Sequence, residues 1–311
     1  MANPIYVIGS SNTDMVIQTE KLPMPGQTVM GKNFLTNPGG KGANQAVAAA
    51  RLGAKVTFVA NTGDDLFGKQ SLIHFERENI DISFVSVDDN LPSGVALIGV
   101  DAHGENIIMV APGSNKNLDT QKVNKALQGI STDTIILLQL EIPMETVAYA
   151  LKKGNSAGCR VILNPAPATN IDIELMRYID VITPNESEAS ILTGIPVTDL
   201  NSAQRSAQRL RDMGVQNIVI TLGAKGAFLL NESVQKHIET QPVSAVDTTA
   251  AGDCFNGALA VGLSEGMALD EAVSFACRAA SISVTRMGAQ SSMPHRKEVE
   301  ELLLQTPNRK I

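Results

Sequence analysis

The run Val246-Asp247-Thr248-Thr249-Ala250-Ala251-Gly252-Asp253-Cys254-Phe255-Asn256-Gly257 joins a string of small residues to an amphipathic pattern, with a carboxylate at the junction. Phe255, Ala258, Leu259 and Leu263 recur at spacings of three and four, which predicts a helix starting near Gly252 with that face buried. The first amides of such a helix lack intrahelical partners and sit at its positive dipole end. Ala250, Ala251 and Gly252 carry no bulk to keep an anion away from them. A carboxylate beside a bound phosphate repels it unless it does something else, such as taking the proton from a hydroxyl that attacks phosphorus. Taken alone, Asp253 is more commonly the residue of an ordinary helix cap.

Three other stretches could serve the same chemistry. Gly39-Gly40-Lys41-Gly42 resembles a phosphate loop in composition but lacks the Walker spacing. Its glycines let backbone approach a small ligand, and Lys41 and Asn44 offer donors suited to sugar hydroxyls; the plain alternative is a tight turn into a helix. Asn185-Glu186-Ser187-Glu188 sets Asn and Glu three apart, a spacing that holds magnesium through water beside phosphates or forms an acidic first helical turn. Thr221-Leu222-Gly223-Ala224-Lys225-Gly226 can receive a nucleotide against bare backbone, or can be a turn into Ala227–Leu230.

The elements that must position these residues follow from apolar patterning. Ile5–Ile8 reads as a short strand ending at Gly9, with Ser10 to Asp14 as a polar turn behind it. Residues 15–35 are short β-like pieces broken by Pro23, Pro25 and Gly26, and 95–100 with 106–110 reads as a hairpin around Asp101-Ala102-His103-Gly104. Together these make an antiparallel flap. An alanine-rich helix is expected over Ala46–Leu52, stopped by Gly53. Beyond Pro112, strands at 135–140, 160–163, 181–183 and 218–222 alternate with helical stretches, which means a mostly parallel sheet. Its carboxyl ends carry Glu141, Asn164, Asn185, Glu188, Thr221 and Gly223, where an open α/β sheet lines its ligand crevice. The flap cannot bury both of its faces, so it should seek a second copy of itself.

Composition excludes several alternatives. The chain has 311 residues, 43% hydrophobic content and a net charge of −7, which suits a large α/β core and argues against nucleic-acid binding. No apolar run is long enough for a membrane span and the start lacks a basic signal region, so a cytoplasmic protein is expected. Cys159, Cys254 and Cys277 are too few and too scattered for a disulfide framework. His74, His103, His237 and His295 show no metal-ligand spacing.

As an ordered set these motifs resemble the ribokinase/PfkB family of carbohydrate kinases along nearly the whole chain. The resemblance rests on Asn12-Thr13-Asp14, Gly39 to Ala46, Thr62-Gly63-Asp64-Asp65, Asn164-Pro165-Ala166-Pro167 and Thr183 to Glu188, then on Thr221-Leu222-Gly223, Asp247 to Asp253 and Thr285 to Gln290. It implies one Rossmann-like α/β domain over 1–311, a mostly parallel sheet flanked by helices, with a small β-sheet lid from segments 13–36 and 94–111. It implies a transferase of carbohydrate metabolism that moves a phosphoryl group from ATP to the 5-hydroxyl of D-ribose. Kinases for deoxyribose, fructose or a nucleoside, and a non-catalytic sugar-binding regulator, are the alternatives. Little aromatic surface accompanies the sugar-side residues, which favours a free pentose over a nucleoside.

By the same resemblance Asp253 is the catalytic base, and the amides of Ala250, Ala251 and Gly252 form an anion hole. Asn12, Asp14, Gly40, Lys41, Asn44 and Glu141 bind the sugar. Asn185, Thr221, Gly223, Ala224, Lys225, Gly226 and Cys277 lie on the ATP side, with Cys277 where a His commonly stands and Met15 where another often follows Asp14. Glu188 supports Mg2+, and Asp247, Thr249, Ser283, Arg286, Gly288 and Ser292 hold K+. A homodimer paired through the lids is also implied.

Overall fold

The computed structural model describes residues 2–305, with side chains as far as 302. The strands are β1 (Ile5–Ile8), β2 (Asn12–Thr19), β3 (Gly31–Gly39), β4 (Val56–Gly63), β5 (Asp81–Asp88), β6 (Gly94–Val100) and β7 (Asn106–Ala111). They continue with β8 (Ile135–Leu138), β9 (Arg160–Leu163), β10 (Val181–Ile182), β11 (Asn217–Thr221), β12 (Ala227–Leu230) and β13 (Gln235–Ile238). The helices are α1 (Lys41–Arg51), α2 (Leu66–Arg77), α3 (Thr120–Ala126), α4 (Met144–Ser156) and α5 (Ile173–Met176). After them come α6 (Glu186–Thr193), α7 (Leu200–Asp212), α8 (Ala251–Ser264), α9 (Leu269–Ser283) and α10 (Arg296–Gln305).

Nine strands form one sheet in the order β13-β12-β11-β10-β9-β8-β1-β4-β5. Every pair from β5 to β11 is parallel, and only β12 runs the other way, antiparallel to both β11 and the edge strand β13. The apolar strands explain this arrangement, because a strand such as Ile135-Ile136-Leu137-Leu138 has no polar face and must be covered on both sides. Ile135 and Leu137 pack with Ala46, Val47, Phe255 and Leu259 on one side. Ile136 and Leu138 pack with Val147, Leu151 and Leu210 on the other. The strand order turns back between β1 and β8, since β1 pairs with β4 on one flank and β8 on the other. Such a switch point opens a crevice at the carboxyl ends of the strands.

A second sheet, in the order β3-β2-β6-β7, stands over that crevice. It differs from the expected flap in one respect: β2 and β6 are parallel, so the sheet is mixed rather than antiparallel. Two more expectations are corrected nearby. Asn12 to Asp14 open β2 instead of forming a polar turn, and the alanine-rich helix begins at Lys41 rather than at Ala46. In both places polar side chains face a polar cleft, which hides the apolar periodicity on which the reading relied. Among the described residues no helix is long and apolar enough to cross a membrane.

Candidate active site

Helix α8 begins with Ala250 as its N-cap residue, in the left-handed region at φ 58°, and no side chain caps it. A left-handed backbone is uncommon for alanine and marks a constrained turn. Asp253 therefore lies in the first turn of α8 instead of capping it. Ala251 N–H is taken by Thr248 O at 3.2 Å, so one of the expected anion-hole amides is already engaged in the turn.

The Asp253 carboxylate is held by two neighbours on α1. Asn44 Nδ2 donates to Oδ2 at 2.8 Å and Gln45 Nε2 donates to Oδ1 at 2.9 Å. This requires α1 and α8 to touch almost backbone to backbone, and Gly257 permits it: a Cβ there would stand 2.7 Å from both Ala48 Cβ and Gln45 O. The start of α1 is fixed by Gly40, whose φ of 88° suits only glycine and whose Cβ would meet Asn12 N at 2.7 Å.

Charge concentrates on this spot. Burial pushes the Asp253 carboxyl pKa up, opposed by Lys41, Asn44 and Gln45 and reinforced by Glu141. Burial, then Glu141 and Asp253, lift Asp14 to about 6 against the pull of Lys41. Burial likewise raises Glu188. Lys41 is the counter-cation: burial works against its charge, but Asp253, Glu141, Glu188 and Asp14 together keep its pKa above the usual lysine value. Glu141, just past β8, accepts from Ser10 Oγ at 2.5 Å and from Lys41 N–H at 3.1 Å, which ties the ends of β1 and β8 to the first residue of α1. Asn12 Oδ1 accepts from Asn115 Nδ2 at 2.8 Å, and Asn115 also clasps the Ser11 backbone.

Next to Asp253 a cavity of about 190 Å³ is lined by Lys41, Asn164, Ala166, Thr183, Asn185, Glu188, Thr221, Thr248, Ala250, Ala251, Gly252, Asp253 and Asn256. Nine of the residues anticipated from the sequence meet there: Lys41, Asn164, Asn185, Glu188, Thr221, Ala250, Ala251, Gly252 and Asp253. Gly223, Ala224, Lys225 and Gly226 form the turn between β11 and β12, outside the cavity wall. Cys277 is buried in α9 and also outside it; desolvation pushes its thiol to about 12, so it presents sulfur without charge. Asn185 and Glu188 form a reciprocal capping box, with Asn185 N–H donating to Glu188 Oε2 at 2.9 Å and Glu188 N–H to Asn185 Oδ1 at 2.8 Å. The acidic first turn that the spacing allowed thus forms at the start of α6, but with Glu188 only 8% exposed.

The loop set gathers in part. Asp247 Oδ1 accepts from Thr249 N–H and Thr249 Oγ1, and Oδ2 accepts from Gly288 N–H at 2.8 Å. These bonds outweigh the burial and hold the Asp247 pKa below its ordinary value. Ser283 and Ser292 turn their hydroxyls to backbone carbonyls in their own turns, and Arg286 pairs with Glu298. Among the described residues no cluster of three His, Cys, Asp or Glu side chains could hold a metal alone.

Several polar residues of the site, all but Asn164 without an assigned role in the sequence, join in a network. Gln45, Gln139, Asn164, Thr183 and Asn256 form one buried lattice. Gln139 donates to Gln45, Gln45 also donates to Asn164 Oδ1 at 3.0 Å, and Thr183 Oγ1 donates to Asn256 Oδ1 at 2.6 Å. For Gln139, Asn164 and Thr183 the signal was present as isolated polar residues at the ends of apolar strands, whereas Gln45 and Asn256 lie in helices.

Residues 3–296 match the model of the pfkB family carbohydrate kinases. A ribokinase of Haemophilus influenzae is 44% identical over 303 residues, covering 97% of this chain and 99% of that one. A deoxyribokinase of Salmonella typhi is 38% identical over 300 residues, covering 96% and 98%. The structure of Arabidopsis thaliana ribokinase complexed with ribose and ATP superposes with a TM-score of 0.87 at 35% identity, covering 98% of this chain and 100% of that one. A matched family model spanning almost the whole chain, and relatives this similar over their full lengths, leave one conclusion: the chain belongs to the pfkB family of carbohydrate kinases.

Proposed function

We propose that the protein transfers the γ-phosphoryl group of ATP to the 5-hydroxyl of D-ribose, with Asp253 as the base. The observation that carries this is the placement of a buried carboxylate, oriented by two amides, in the first turn of an uncapped helix beside a polar cavity. The raised affinity of Asp253 for a proton brings a carboxylate closer to the working range of a general base. Lys41 opposes that rise and favours the ionised form. As the hydroxyl oxygen attacks phosphorus, its proton passes to Asp253, and the amides at the start of α8 face the charge on the transferred group.

Asn12, Asp14, Gly40, Lys41, Asn44 and Glu141 surround the sugar in this reading. Asn185 and Thr221, with the turn Gly223 to Gly226 and the apolar wall at Cys277, take the nucleotide. Glu188 suits magnesium, a cation that uses few carboxylates and keeps several waters; when bound it neutralises charge on the nucleotide phosphates. Asp247, Thr249, Ser283, Arg286, Gly288 and Ser292 supply the oxygen-rich loop for potassium, and Asp247 anchors that loop to the start of α8. The segments 13–36 and 94–111 act as a lid within a single 1–311 domain and bring Asp14 over the sugar.

Register pairing puts Phe34, Ile17 and Ile107 in one row of the lid face opposite Asp14, and Leu97 and Met109 in the next. All five are exposed, between 46% and 61%. That apolar face supports a homodimer closed lid against lid. Three unpaired buried thiols suit a reducing compartment such as the cytoplasm.

A coupled assay with ATP and magnesium over ribose, deoxyribose, fructose and a nucleoside tests the reading. The highest kcat/KM is expected for ribose. Tight sugar binding without product overturns the kinase, and a preference for deoxyribose, as in the Salmonella relative's name, overturns the substrate.

A further inference from the structure

Gln290 is 1% exposed in the loop that carries Gly288 and Ser292, and its side chain bridges two elements. Nε2 donates to Asn44 Oδ1 at 3.0 Å, while Oε1 meets His74 Nε2 at 2.8 Å. Asn44 in turn donates to Asp253 Oδ2. An ionised carboxylate can only accept, so Asn44 must turn its nitrogen to Asp253 and its oxygen to Gln290. Gln290 must then turn its nitrogen to Asn44 and its oxygen to His74, whose Nε2 donates. The charge on Asp253 thus fixes the orientation of three successive side chains. The far end is anchored as well: Arg51 Nη1 donates to Gln290 O at 2.7 Å and to Met293 O at 3.1 Å, while its other nitrogens clasp Glu78.

We infer that Gln290 is a positioning residue for phosphoryl transfer, locking Asn44 so that its amide aims and sustains the ionised Asp253. This rests on Asp253 being the base. Without Gln290 the Asn44 oxygen loses its buried donor, and the amide is free to turn over and present oxygen to the carboxylate. Lys41, Asp14, Glu141 and Glu188, the charged groups around Asp253, are left in place by any substitution at 290.

Gln290→Leu and Gln290→Glu separate this role from simple packing. Leucine removes the donor. Glutamate keeps the shape but can only accept when ionised, which forces Asn44 to reverse. Both variants are expected to lose about tenfold or more in kcat, and any rise in the KM for ribose, which Asn44 also faces, should be smaller than that loss. The acid limb of their kcat/KM profile should move to higher pH, further for glutamate by about one unit. Wild-type kcat in either folded variant overturns the inference, and so does a loss of kcat with an unmoved acid limb, which assigns Gln290 a structural role only. If leucine prevents folding, the near-isosteric glutamate carries the test. Failure of the underlying reading is distinguishable, because it would appear as normal turnover in Asp253→Asn or as none in the wild type.

Discussion

Gln45 and Asp253 lie 208 positions apart in the chain and one hydrogen bond apart in space, Gln45 Nε2 standing 2.9 Å from Asp253 Oδ1. With Asn44 on the other oxygen, the carboxylate is gripped by two amide donors that come from consecutive residues of one helix. The arrangement accepts a negative group and rejects anything that donates.

Asp253→Asn is therefore a less gentle change than its shape suggests. The new NH2 must face an existing donor unless Gln45 or Asn44 turns over, and turning Gln45 breaks its bond to Asn164. The variant should fold with a melting temperature lowered by a few degrees, about 1 kcal/mol of stability. Its kcat should fall by roughly a hundredfold or more, because the amide cannot take a proton, while ribose binding by calorimetry persists. Near-normal turnover would remove Asp253 from the role of base.

Asp14 makes a pH prediction whose sign can be worked out. Its pKa rises on folding from 3.8 to about 6, so between those values the folded state holds more protons than the unfolded chain. Stability from this group is then present at low pH and is lost as pH rises through the folded value. Asp14→Asn removes the charge, and the sugar-free variant should be more stable than the wild type at pH 8, by up to about 3 kcal/mol, with the difference vanishing near pH 4. Sugar affinity should drop at the same time. Equal melting temperatures at pH 8 would contradict a carboxylate held ionised at a cost.

The lid face gives a prediction about assembly. Ile17 and Met109 are exposed on the side opposite Asp14 and line no part of the cavity. Changing both to Asp puts one charge in each of the two apolar rows and should leave a monomer at micromolar concentration in sedimentation, where the wild type is expected to sediment as a dimer. A monomeric wild type would show instead that this face serves something other than a second copy.

Much of the framework could be read in the sequence, because β8 and its neighbours are continuous apolar runs and such strands fold in one way, buried in a parallel sheet. The errors cluster where the cleft itself supplies a polar interior. Asn12 to Asp14 look like a turn because strand alternation presumes one wet face and one dry face, and this strand borders a site that is polar and buried. Lys41 to Gln45 hide the first turn of α1 for the same reason. The pairing of Gln45 and Gln290 with the Asp253 grip left no local trace, since partners more than two hundred residues apart meet only after the sheet closes.

Gly252 offers the sharpest separation of stability from function. It lies in the first turn of α8, on the cavity wall, and a Cβ built there meets nothing within 4 Å. Alanine favours a helix over glycine by about 1 kcal/mol, so Gly252→Ala should match or exceed the wild-type melting temperature. The added methyl nevertheless projects into the space where a phosphoryl group would approach the helix amides, and a few tenths of an ångström there cost alignment as well as contact. Turnover should fall tenfold or more and the KM for ATP should rise, with ribose binding unchanged. A stable Gly252→Ala protein with wild-type kinetics would mean that the transferred group does not pass over the start of α8.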